Sequence, residues 1–161
     1  WKYLDNGSNQ GTAWRSRTFN DGSWKSGRGE LGYGDVQTTV VSFGNFFLNK
    51  HITTYFRKSV TMNNTSAYLG YRMQLRRDDG IVVYVNGVEV YRDNMPSGTI
   101  SFNTKASGIA FDDGSDLKTV NLSANVFTNG VNVIAVEVHQ NSSLSSDLSF
   151  DLSLTGVEGG S

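Results

Sequence analysis

The 161-residue chain carries 14 basic and 15 acidic side chains, no cysteine and one proline. A net charge of −1 gives no electrostatic reason to bind nucleic acid or an anionic membrane. The missing thiols exclude a disulfide framework, a thiolate zinc site and a cysteine nucleophile. No apolar run reaches membrane-spanning length.

The length fits one domain, large enough to bury a core without metal or disulfide staples. Eighteen glycines point to many tight turns. An aromatic share of 12% supplies large side chains for a thin core or for a ligand platform. The sequence itself contains no signal-peptide pattern. The chain reads as a module of a longer protein, with residues 1–157 forming the module and 158–161 a linker or tail.

The first fifty residues hold Trp1, Trp14 and Trp24 in a background rich in Gly, Ser, Asn and Asp. Long loops are expected there, with short strands near Val40 and Phe47 and a helical turn around Asp21 to Trp24. Farther on, short alternating runs separated by turn residues dominate, which is an all-β pattern. Thr53 to Met62 reads as a strand. Tyr68 to Arg76 follows, with Leu69, Tyr71, Met73 and Leu75 on one face and Arg72, Gln74 and Arg76 on the other.

Ile81 to Val85 and Val88 to Tyr91 flank Asn86-Gly87, the dipeptide that accepts the positive φ angles of a type I′ hairpin. Val131 to His139 and Leu148 to Leu154 complete the predicted strands. No βαβ pattern is present, so an antiparallel two-sheet β-sandwich is expected.

Several residue groups carry chemistry. Arg72, Gln74 and Arg76 form a polar stripe suited to an acidic polysaccharide, with guanidinium meeting carboxylate or sulfate. The alternative is an ordinary solvated face. Trp14, Tyr33 and Tyr91 are candidate platforms for sugar rings. Trp14 has the alternative of packing beneath the N-terminal loops.

Glu137 and His139 share a strand face, with Gln140 and Asp147 within reach of a loop. No nucleophile accompanies them, so His139 and Gln140 are read as ligand-orienting or structural groups. Adjacent Asp78 and Asp79 converge on one cation if they lie in a loop, or make a turn with Gly80. Asp5 to Gly11, through Asp5 and Asn9, is a second candidate cation loop. Asp112 to Asp116 is a third. Gly27-Arg28-Gly29-Glu30-Leu31-Gly32 spells GxGxxG, but no helix follows to present amides to a phosphate, so the motif is set aside.

Four segments fall in a telling order: Phe19 to Trp24, Thr54 to Lys58, Asp79 to Val90 and Gly130 to Val138. Together with Leu31 to Asp35 and Asn132 to Leu152, they resemble the galactose-binding-like jelly-roll domain. The same order occurs in the sugar-binding domain that precedes the catalytic barrel of β-galactosidase-type glycosidases, and in accessory modules of large secreted bacterial enzymes. Locally, Asp78-Asp79-Gly80 ahead of the Asn86-Gly87 hairpin is also similar to the PA14 domain, where paired aspartates hold a calcium that contacts sugar.

The resemblance implies a jelly-roll sandwich, often with a structural calcium. It also implies a non-catalytic carbohydrate-binding module, secreted and monomeric, appended to a polysaccharide-degrading catalytic domain. Its ligand would be a polysaccharide or oligosaccharide, and the arginine stripe favours an anionic one. A spacer or adhesin module without its own ligand is the alternative.

Overall fold

The computed structural model describes residues 1–158. Eleven strands run in order among them: β1 (Lys2–Leu4), β2 (Lys25–Ser26), β3 (Leu31–Tyr33), β4 (Thr39–Val40), β5 (Thr53–Met62), β6 (Tyr68–Asp78), β7 (Gly80–Val85), β8 (Val88–Asp93), β9 (Lys118–Ser123), β10 (Gly130–His139) and β11 (Leu148–Glu158). They form a six-stranded sheet, β2-β1-β5-β10-β7-β8, and a five-stranded sheet, β4-β3-β11-β6-β9. The expected all-β sandwich is therefore the observed one. All pairings are antiparallel except β3 with β4, which run parallel.

The predicted limits of β5 match the observed ones, and the chain leaves the sheet at Asn63-Asn64. Phe47 lies in a turn, and Asp21 to Trp24 closes a hydrogen-bonded turn instead of a helix. Glu158 ends β11, and the rest of the expected tail, 159–161, lies outside the described residues.

The two sheets bury their outer faces unequally. Between them lies the main core, with Phe56, Met73, Leu75, Ile81, Val83, Ile134, Val136 and Phe150 at its centre. A second cluster covers the outer face of the six-stranded sheet: Trp14 and Trp24 from the N-terminal segment and Ile100 from the loop after β8 pack on Tyr55, Val82, Tyr84 and Ala135. Hence β7 is buried at every position and reads as an unbroken apolar run. The outer face of the five-stranded sheet carries no such cover. There β6 alternates, burying Tyr71, Met73 and Leu75 while Arg72, Gln74 and Arg76 reach solvent. Leu69 departs from the pattern: a register shift opposite Val157 and Glu158 leaves it exposed.

The Asn86-Gly87 hairpin has φ of 50° and 87° at its two central residues, as a type I′ turn requires. Asn86 does more than turn the chain. Its Oδ1 accepts the Val133 amide at 2.9 Å and its Nδ2 donates to Asn132 Oδ1 at 2.9 Å. Asn86→Ala removes both bonds and places a Cβ-bearing residue in left-handed backbone without a compensating amide. It is expected to destabilise by about 2 kcal/mol, measured as the shift in urea midpoint at constant slope.

Candidate cation centre and ligand surface

Four of the residues predicted to meet ligand are interior. Trp14 and Gln140 are 0% exposed and His139 likewise, while Tyr33 is buried under Phe43. An aromatic ring enclosed on both faces offers no platform, so Trp14 takes its packing alternative. It stacks edge-on against Tyr55 and Tyr84 at centroid distances of 4.8 and 5.8 Å. Tyr91 is half-buried against the main core. Gln140 Nε2 donates to Tyr33 OH at 2.8 Å and to the Asp147 carbonyl at 2.6 Å, which holds the loop leading into β11.

Glu137 and His139 do share a face, but that face is the covered one. His139 Nε2 lies 2.6 Å from Glu137 Oε1, and its Nδ1 meets Thr53 Oγ1 at 3.0 Å. Tyr84 OH donates to Glu137 Oε2 at 3.1 Å, and Arg15 approaches the same oxygen at 3.5 Å. A cavity of about 110 Å³ lined by Asn9, Arg15, Tyr55, Phe102 and Glu137 leads toward this carboxylate. That is well below the roughly 300–1,000 Å³ of small-molecule sites. The pair is a buried polar network that ties loops to the sheet.

The predicted cation residues separate. Asp5 accepts from the Ser42 amide at 2.6 Å and from Lys25 Nζ at 3.1 Å, so an ion pair and an amide neutralise it. Asn9 Oδ1 caps the Gly11 amide at 3.0 Å in a local turn. Asp79 serves as a loop anchor: Oδ1 takes the Ala110 amide and Oδ2 the Asn141 amide, each at 2.9 Å. Asp112 is engaged by Arg77 at 2.9 Å, and Asp116 by Lys118 at 2.9 Å.

Asp78 does join a centre, with partners other than those expected. Asp35 from the β3–β4 connection, Asp113 from the β8–β9 loop and Asp147 from the β10–β11 loop converge on it. Each offers an oxygen within 4.8 Å of the others. Asp78 is 2% exposed, whereas Asp35 and Asp113 face solvent. Burial is the main force raising the Asp78 carboxyl, to about 10, reinforced by Asp79 and Asp147. Burial also leads in raising Asp147, to about 7, followed by Asp113 and Asp35. Like charges this close disfavour joint ionisation.

These residues fit a hard cation. Calcium takes six to eight oxygens at about 2.3–2.6 Å, so oxygens on one ion lie within about 5 Å of each other. No cation of the protein neutralises the group by an ion pair among the described residues, and Asp78 Oδ2 is buried without a hydrogen-bond partner. The absence of His and Cys from the set disfavours zinc and copper.

Sequence reasoning missed Asp35 and Asp147 as ligands because 112 positions separate them, and only the β3–β11 pairing brings their loops together. Oxygen-rich loops were the available signal, and they flagged Asp113 through the 112–116 segment.

The open face is a second feature. On it Arg72, Gln74 and Arg76 of β6 stand opposite Thr155, Ser153 and Asp151 of β11, while the next pair, Asp78 and Ser149, is buried. Arg72 and Gln74 also neighbour Asn121 and Thr119 of β9. The predicted stripe thus exists as a solvent-facing row, without an aromatic residue in it, leading along β6 to the acidic centre.

No family model matches the chain, and no curated protein matches it. Solved structures do. A Bacteroides uniformis β-glucuronidase 2 superposes with a TM-score of 0.58 at 16% identity, over 93% of this chain and 16% of that one. A β-glucuronidase from glycoside hydrolase family 2 gives 0.54 at 15% identity, over 86% and 13%. A β-glycosidase from Bacteroides vulgatus gives 0.50 at 17% identity, over 95% and 19%. The chain therefore has the fold of a small all-β domain that recurs within much longer glycosidases.

Proposed function

We propose that the chain is a non-catalytic carbohydrate-binding module of a secreted, polysaccharide-degrading protein. It is of the galactose-binding-like jelly-roll type, monomeric and appended to a catalytic domain. The observation that carries this reading is the one-sided cover of the sandwich. The six-stranded sheet is sealed by the N-terminal segment, whereas the five-stranded sheet presents a continuous polar row to solvent. A sheet face lined by Arg, Gln, Asn, Thr and Ser suits the hydroxyl and carboxylate groups of a saccharide chain.

The fold's recurrence in β-glucuronidases and in a β-glycosidase supports the carbohydrate setting. The burial of the Glu137–His139 pair supports a non-catalytic role. Two guanidinium groups on this face, Arg72 and Arg76, favour a uronate-bearing polymer, although Arg76 Nε also reaches the Ser115 carbonyl at 3.4 Å. The reading includes a calcium ion at the acidic centre, whose chemistry there is charge neutralisation and loop fixation. A calcium-binding mutant of the B. uniformis β-glucuronidase 2 is among the structures sharing the fold, at a TM-score of 0.53 and 13% identity.

Affinity electrophoresis in gels cast with polygalacturonate or with neutral glucan tests the binding. Retardation by the uronate is expected, with Kd between about 10 µM and 1 mM because the face is open. It should weaken at least about tenfold in Arg72→Gln/Arg76→Gln and on raising salt from 50 to 500 mM. Salt-insensitive binding to the neutral glucan would sink the anionic preference. No retardation by any glycan with calcium present would favour a spacer, a role consistent with the interior position of Trp14, Tyr33, His139 and Gln140.

A further inference from the structure

The acidic centre has a fifth member that belongs to no acidic cluster. Ser149 is the cross-strand partner of Asp78, so the two side chains leave the sheet on the same face. Ser149 is 1% exposed, and its Oγ has no hydrogen-bond partner. A buried hydroxyl normally finds a partner, and one left bare carries a desolvation penalty. The lid over this pair is Gly114, in left-handed backbone at φ 76°, where any Cβ would collide with Ser149 Oγ and crowd Asp78. Two buried oxygens, Ser149 Oγ and Asp78 Oδ2, thus lack partners on a residue pair packed beneath Gly114. Oxygens of Asp35, Asp113 and Asp147 lie within 4.8 Å of one of Asp78's and of each other.

We propose that Ser149 Oγ and the carboxylates of Asp35, Asp78, Asp113 and Asp147 form one calcium clasp that fastens three loops to the end of β6. The inference rests on the calcium of the reading above and goes past it, in naming the hydroxyl ligand and in making the ion decide whether this end of the sandwich is assembled. Five protein donors, with one or more carboxylates bidentate and water entering on the exposed Asp35 and Asp113 side, reach calcium's six to eight oxygens. Magnesium demands a tighter octahedron and retains its waters, so it matches this all-protein cradle poorly. Without the ion, four crowded carboxyl groups, one of them desolvated, disfavour one another's charge, and holding them together costs stability. The clasp therefore reverses sign: its residues hold the loops together with calcium and push them apart without it.

That reversal separates the clasp from an ordinary structural role. Calorimetric titration with Ca²⁺ and thermal melts in 1 mM Ca²⁺ or in EDTA are measured on the full chain. The set comprises wild type, Asp78→Asn and Ser149→Ala. Wild type is expected to bind one calcium and to melt at least about 8 °C higher with it, while Mg²⁺ at the same concentration moves the melt by less than a quarter of that. Asp78→Asn should bind at least 100-fold more weakly, yet melt higher than wild type in EDTA. Ser149→Ala should bind about tenfold more weakly with its EDTA melt unchanged. Hydrogen exchange in segments 34–38, 108–117 and 141–147 should slow on calcium addition in wild type, and in Ser149→Ala only at about tenfold higher calcium, but not in Asp78→Asn.

Calcium bound with wild-type affinity by both variants overturns the clasp and leaves the calcium reading standing at another place. An Asp78→Asn protein that melts lower than wild type in EDTA also overturns it, as does an equal response to Mg²⁺. No calcium binding by wild type overturns both. If Asp78→Asn does not fold, the Ser149→Ala affinity decides alone.

Discussion

Replacing Arg57 by methionine is expected to lower stability by about 3–5 kcal/mol. Arg57 sits on the covered face of β5 and is 2% exposed. Its Nε donates to Asp21 at 2.9 Å. Its Nη1 donates to the Trp14 carbonyl and, at 2.9 Å, to that of Ser16, and its Nη2 reaches the Phe19 carbonyl at 3.3 Å. The guanidinium also lies 5.1 Å from the Phe19 ring centroid. The segment from Ala13 to Trp24 has one 3-10 turn and a few isolated turn hydrogen bonds, so the Trp14 and Phe19 carbonyls rely on the guanidinium.

Methionine matches the stem and supplies none of the donors. Three carbonyls and a carboxylate are then left without their buried cation, and the covering segment loses its anchor. Lysine restores the charge but not the planar fork that spans four acceptors, so Arg57→Lys should recover less than half of the loss. At roughly 2–4 °C per kcal/mol for a chain of this size, the Arg57→Met melt should fall by about 6–20 °C. Near-ultraviolet circular dichroism should change with it, because Trp14 and Trp24 pack under this segment. A melt within about 2 °C of wild type would show that the segment is held by its aromatic residues instead.

The second large effect is a dependence of stability on pH that calcium inverts. Asp78 and Asp147 are held protonated in the calcium-free fold, at about 10 and about 7, with burial the first cause for both. In the unfolded chain both lie near 3.8. The folded state therefore binds more protons than the unfolded state as soon as pH exceeds about 4, and stability must fall as pH rises. The loss begins above about 4 and, for Asp147, is complete above about 7. For Asp78 it continues toward about 10.

In EDTA the melt at pH 5 should exceed that at pH 8 by roughly 5–10 °C, with solvent screening at the exposed rim limiting the size. Calcium reverses the order, because the ion binds carboxylates and protons compete with it. At 1 mM Ca²⁺ the pH 8 protein should melt higher than the pH 5 protein. Scanning calorimetry at the two pH values, with and without calcium, gives all four numbers. A flat pH response in EDTA would mean that the carboxylates move apart when no ion is present.

These expectations draw on different depths of the sequence. The period of two along β6 and β11, and the Asn86-Gly87 turn, are local properties of the backbone and were legible residue by residue. The same alternation correctly put Arg72, Gln74 and Arg76 on one face. It also put Glu137 beside His139, but it carried no information about what lies over that face. The N-terminal segment travels across the six-stranded sheet and seals it. Trp14 and the Glu137–His139 pair changed from candidate ligand contacts into interior supports for that reason. A tryptophan in a Gly- and Ser-rich stretch looks the same whether it waits for a sugar or fills a cleft.

The acidic centre shows the division most clearly. By itself the sequence determined an all-β chain, a type I′ hairpin, an open arginine-bearing strand face and a set of oxygen-rich loops. Those follow from dihedral preferences and side-chain alternation, which act over a few residues. It did not determine which of fifteen acidic residues meet. Asp5, Asn9 and Asp79 had the right chemistry and found amides or a lysine instead. Asp35, Asp113 and Asp147 reach Asp78 because β3, β6 and β11 are neighbours in one sheet and their loops emerge at one end. Ser149 joins them because cross-strand register sets it opposite Asp78. Convergence of that kind depends on strand order and register, which long-range burial of the two sheet faces decides, and so the tertiary structure alone assembles the site.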